Sequence, residues 1–84
     1  MNTPEILEKL QTVFDSIFLD EVTVTESLTA EQVEEWDSLT HISLIVAVER
    51  EFGIRFRTGE VEGTSDVGDF VALISEHLEA RTTA

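Results

Sequence analysis

Eighty-four residues, 42% of them hydrophobic, supply one small core and one domain over 1–84, with no room for a second domain or a deep substrate cavity. Eighteen acids against five bases give a formal net charge of −13, and nine of those acids lie between Lys9 and Arg50, a span with no other Lys or Arg. Such a surface disfavours nucleic acid and anionic membranes and favours proteins with basic patches, with plain solubility as the competing explanation of the charge.

Thr3-Pro4-Glu5 opens a first helix: Thr can cap, Pro fits the first turn and Glu suits the positive end. Ile6, Leu10, Val13, Phe14 and Ile17 recur at spacings of three and four, which predicts a helix from residue 4 to about 18. Over residues 19–37 Val22 and Val24 alternate with Thr23 and Thr25 in the manner of a strand. One short strand has no partner here, so the segment reads as a long loop with Leu28 as its core anchor. Thr29 followed by Gln32 three residues later resembles a capping box and predicts a short helical turn over 30–35. Trp36 is expected to pack the end of this loop on the core.

A second helix runs from Leu39 to Phe52, about 21 Å at 1.5 Å per residue. Asp37 and Ser38 cap it and Gly53 stops it. The unbroken run Leu44-Ile45-Val46-Ala47-Val48 sweeps the whole helix circumference at 100° per residue, so part of it must face outward as contact area or line a second cavity. Ile54 and Phe56 alternate with Arg55 and Arg57 in an extended link that buries its apolar side chains. Glu60-Val61-Glu62, between glycines, allows a short helical turn. Thr64-Ser65-Asp66 caps a last helix whose face is Val67, Phe70, Val71, Ile74 and Leu78, and residues 81–84 read as a frayed tail. The fold class is all-α: a bundle of three main helices and a short one, with a long loop between the first two.

Most chemistry is excluded. No run approaches the ~18 apolar residues of a membrane span, and Met1-Asn2-Thr3-Pro4-Glu5 is no basic leader, so a cytoplasmic monomer is expected. Cysteine is absent, which removes disulfides and protein thiolates. Ser38, His41 and Asp37 invite a catalytic triad, but the Asp and Ser are sequence neighbours that diverge, and no enzyme activity is expected. His41 and His77 have no metal-ligand spacing and read as solvated helix residues; no metal site is expected. The acids lack the calcium-hand spacing, and no glycine-rich phosphate loop is present.

Asp37-Ser38-Leu39, then Leu44-Ile45 and Val48-Glu49-Arg50-Glu51-Phe52-Gly53-Ile54, resembles the acyl carrier proteins, and the likeness of architecture spans essentially the whole chain. The resemblance implies that Ser38, with Asp37 as its motif neighbour, carries 4′-phosphopantetheine transferred from coenzyme A by a phosphopantetheinyl transferase. Acyl groups would ride on the arm as thioesters, passed among acyl-loading, condensing or tailoring enzymes. Physical chemistry agrees: an anion on Ser38 would sit at a helix N-terminus, favoured by about 0.3–1 kcal/mol. Family analogy places partner contacts at Leu39, Ile42, Val46 and Glu49. Departures are Trp36 where a small or aliphatic residue is usual, Thr40 and Ser43 where fatty-acid carriers have acids, and Arg50 after Glu49. They point to a specialised fatty-acid, polyketide or other secondary pathway. An aminoacyl or peptidyl carrier, or an acidic interaction module in which Ser38 is only a cap, are the alternatives.

Overall fold

In a computed structural model of the chain, helix α1 spans Thr3–Ile17 and is capped by Asn2. The structure describes residues 2–19, 21–57 and 59–82, with Arg81 and Thr82 described by backbone alone. Asn2 Oδ1 accepts from the Glu5 N–H at 3.0 Å and the Asn2 N–H donates back to Glu5 Oε1 at 3.3 Å, a capping box. The cap expected at Thr3 therefore sits one residue earlier, because Asn2 has Glu5 three residues on to reciprocate. Ile6, Leu10, Val13 and Phe14 are buried as their spacing requires, and α1 packs against both other helices.

The loop after α1 owes its course to one amide side chain. Gln11 Nε2 donates to the Val22 carbonyl at 2.6 Å, and Gln11 Oε1 accepts from the Val24 N–H at 2.9 Å. A single glutamine thus acts as the neighbouring strand this segment lacks. Val22 and Val24 turn into the core while Thr23 and Thr25 face outward. Further on, the Glu26 and Leu28 carbonyls accept from the Gly68 and Val67 N–H groups at 2.7 and 2.9 Å, so the loop holds the start of the last helix. A Cβ at Gly68 would come within 3.1 Å of the Glu26 carbonyl oxygen, which is why the second residue of this helix is so small. The turn predicted over 30–35 is shorter, a 3₁₀ turn at Ala30–Gln32, with the Thr29 N–H bonded to Gln32 Oε1 at 3.0 Å.

Helix α2 spans Ser38–Phe52 and ends at Gly53, whose φ of 65° and ψ of 40° lie in the left-handed region that favours glycine. Leu44, Val48 and Phe52 are buried at four-residue spacing, whereas Val46 in the middle of the apolar run faces outward. The link after α2 is tied to both flanking helices. The Phe56 N–H donates to Glu49 Oε2 at 2.8 Å, the Arg57 N–H to Glu60 Oε1 at 2.6 Å, and His77 Nε2 meets the same Glu60 oxygen at 2.9 Å. His77, expected to be solvated, is instead half-buried, with Phe56 edge-on to its ring at 5.2 Å. Ile54 and Phe56 are half-buried rather than enclosed.

The expected short helix is a 3₁₀ turn at Val61–Gly63, and α3 spans Val67–Thr82. Asp66 is its cap, accepting from the Asp69 N–H at 2.9 Å while Asp69 Oδ2 accepts from the Ser65 N–H at 3.0 Å. The helix continues through Arg81 and Thr82, which the sequence reading assigned to a frayed tail; Thr83 and Ala84 lie outside the described residues. No strand occurs among the described residues, so the all-α assignment holds.

Candidate functional site

Asp37 and Ser38 divide the work at the start of α2. Asp37 is the cap, its Oδ1 accepting from the Thr40 N–H at 2.9 Å. That backbone bond, then one from the Thr40 hydroxyl, holds the Asp37 carboxyl below the usual aspartate value. With capping assigned to Asp37, the Ser38 hydroxyl is left exposed and without a hydrogen-bond partner among the described residues. By sequence either residue can cap; the geometry separates them.

From Ser38 an apolar line descends α2. Leu39 is 79% exposed, Ile42 62% and Val46 43%, spaced by three and four residues on one side of the helix. Glu49, expected to join them, is half-buried and turns its carboxylate to the Phe56 N–H. Glu51 pairs with Lys9 at 3.2 Å. Arg50, on the same line as Ile42 and Val46, is exposed and in no salt bridge among the described residues. The exposed edge of α2 is therefore apolar near Ser38 and basic at its far end.

Behind this edge a half-open pocket of about 150 Å³ lies between α2, the loops and α3, lined by Leu28, Trp36, His41, Leu44, Val61 and Phe70 among others. Trp36 forms one wall, half-buried as expected, with its ring 5.4 Å from Phe14 and 5.9 Å from Phe18. Its indole N–H donates to His41 Nδ1 at 3.0 Å, so His41 is not the solvated residue anticipated. That pairing also leaves the ring unavailable to Ser38 through Nδ1, while Asp37 serves Thr40, and no relay joins the three. A Trp five residues before a His at the start of a helix was the available sign of this contact. Among the described residues no group of three or more His, Cys, Asp or Glu could hold a metal ion, and no helix is long and apolar enough to cross a membrane.

No protein-family model matches the chain. It is 37% identical over 82 residues to an acyl carrier protein of Thermosynechococcus vestitus, a match that covers 95% of this chain and 100% of the relative. It is 33% identical over 81 residues to an acyl carrier protein of Rubrobacter xylanophilus, again covering 95% and 100%. The solution structure of a holo acyl carrier protein from Geobacter metallireducens superposes with a TM-score of 0.84 at 32% identity, over 93% of this chain and 91% of that one. With sequence likeness to such proteins along nearly its whole length, and with their fold, the chain belongs to the acyl carrier protein family.

Proposed function

We propose that this chain carries acyl intermediates as thioesters on a 4′-phosphopantetheine arm attached to Ser38. One observation supports the reading above the others: an exposed serine hydroxyl, relieved of capping by Asp37, stands at the N-terminus of α2 with no hydrogen-bond partner among the described residues. A residue so placed is open to a phosphopantetheinyl transferase, and the first turn of a helix tolerates the resulting phosphodiester. The arm supplies the thiol that this cysteine-free chain lacks. The protein's own part is to present the serine, to offer partners an edge to dock on, and to shelter the cargo; the bond chemistry belongs to the partner enzymes of the cytoplasm.

The character of α2 favours a specialised fatty-acid, polyketide or other secondary pathway over housekeeping synthesis. Both acids of the helix are engaged within the molecule, Glu49 with the Phe56 N–H and Glu51 with Lys9, and Thr40 and Ser43 carry no charge. Partners would then dock chiefly on Leu39, Ile42 and Val46. The cavity between α2 and α3 is suited to a short acyl tail. At about 150 Å³ it matches the volume of an engineered protein cavity that binds benzene, a ligand of about six carbons.

The deciding experiment is intact mass after incubation with coenzyme A, Mg²⁺ and a broad-specificity phosphopantetheinyl transferase. The wild type should gain one phosphopantetheinyl group, mapped to Ser38, and Ser38→Ala should gain none. A wild type left unmodified under conditions that load a control carrier would overturn the proposal.

A further inference from the structure

Trp36 and His41 line the cavity between α2 and α3 and bracket Ser38 in the chain, Trp36 before it and His41 one helical turn after it. The indole N–H donates to His41 Nδ1 at 3.0 Å, and the rings lie 6.2 Å apart at 24°. An indole nitrogen is a donor only, so His41 Nδ1 must present its lone pair and the neutral imidazole carries its proton on Nε2. The bond exists for one protonation state of one residue.

We propose that neutral His41 is a positioning residue that holds the Trp36 indole across the Ser38 end of the cavity, and that a proton taken up at Nδ1 releases the indole and opens the shelter for an acyl tail. The inference rests on the carrier function proposed above. The proton comes from water, only a hydrogen bond breaks, and two N–H groups are left facing each other. The rings meet edge to edge, nearly parallel and 6.2 Å apart, so the imidazolium does not lie over the indole face and gains no compensating cation–π attraction. On its other side the indole is held by Phe14 and Phe18 of α1 and its edge, so it swings instead of leaving the core.

The charged groups that share the two hollows beside His41 are Glu62 and Asp66 from the segment before α3, Glu49 from α2 and Arg57 from the link. The Asp37 carbonyl accepts from the His41 backbone N–H at 2.8 Å. All of these are the same in wild type and in a His41 variant, so a comparison of the two isolates the His41 proton.

The chain has one tryptophan and two histidines, so Trp36 fluorescence reports on the pair and His77→Gln controls for the other ring. Emission is followed on the full chain from about pH 8 to about pH 5, the range in which histidines change charge. The wild type and His77→Gln should show a one-proton transition. His41→Gln, whose amide oxygen accepts at every pH, should show none, and His41→Leu, which offers no acceptor, should show the acid-form emission throughout. In a second arm Ser38 is loaded with a hexanoyl phosphopantetheine, and hydroxylamine cleavage of its thioester is compared with that of free hexanoyl-pantetheine at both ends of the range. Protection should fall roughly 5-fold at the acid end in the wild type, the population change expected when one partly buried donor loses its acceptor, and persist in His41→Gln. A flat wild-type titration, a transition that survives in His41→Gln, or equal protection at both ends overturns the inference. If Ser38 takes no arm, the carrier reading fails instead, while the fluorescence series still decides whether His41 holds Trp36.

Discussion

Gln11 offers a test of how the long loop is held, because one side chain replaces a whole strand partner. Gln11→Met keeps the length and apolar bulk of the residue but removes the donor to the Val22 carbonyl and the acceptor of the Val24 N–H. Both bonds are partly buried, and each contributes about 0.5–1.5 kcal/mol net, so the expected loss is about 1–3 kcal/mol. Val22 and Val24, buried at the same point, would loosen with the backbone that carries them, which puts the loss toward the upper end of that range. A domain this small has only about 5–10 kcal/mol of stability in all, and each kcal/mol moves its melting temperature by about 4–8 °C. We expect a fall of roughly 8–24 °C in a circular-dichroism melt, together with faster hydrogen exchange of the Val24 amide. Gln11→Glu should be at least as damaging, since it retains the acceptor for Val24 but sets a carboxylate against the Val22 carbonyl. A Gln11→Met protein that melts within about 2 °C of wild type, with the Val24 amide still protected, would show that burial of the valines alone fixes the loop.

Three further outcomes follow from charge and exposure. With a net charge of −13, thermal stability at neutral pH should rise on addition of about 0.1 M monovalent salt, which screens charges beyond about 10 Å; a melting temperature indifferent to salt removes self-repulsion from the account. Glu60 is held below its ordinary carboxyl value first by the Arg57 N–H, with further help from His77, so its contribution to stability is present above pH 4.5 and is lost as pH falls through the lower folded value. Glu60→Gln should therefore flatten the acid limb of the melting-temperature profile while changing the neutral region less, and identical acid limbs in the two proteins would exclude that linkage. For docking, Ile42→Ala and Val46→Ala should slow arm loading or acyl transfer more than Glu49→Gln, with circular dichroism unchanged; a buried apolar contact is worth about 1 kcal/mol or more, whereas a rim charge acts mostly on association rate. Rates that collapse with salt and respond most to Glu49→Gln would make recognition electrostatic after all.

The local order of this protein could be read directly from residue spacing. Ile6, Leu10, Val13 and Phe14 marked the buried face of α1; Gly53 marked the end of α2; and the run from Leu44 to Val48 had to expose a side chain, which proved to be Val46. Asp37-Ser38-Leu39 and the segment through Ile54 were enough to point to the family, since both lie in one continuous stretch of the chain. Such signals are legible because they depend on neighbours within a turn or two of the chain. The tertiary structure decided everything that required a partner from another element. It paired Gln11 with Val22 and Val24, Glu49 with the Phe56 amide, and Glu60 with His77. It set α2, the loops and α3 around a small half-open pocket. Each of the two histidines looked solvated on its own helix and acquired a role only from a residue outside it: Trp36 before α2, and Glu60 before α3. Polar side chains have no periodicity of their own. A glutamine or histidine on a helix flank satisfies its hydrogen bonds equally well with water, and only the packing of the apolar faces brings a particular amide, carbonyl or ring within reach.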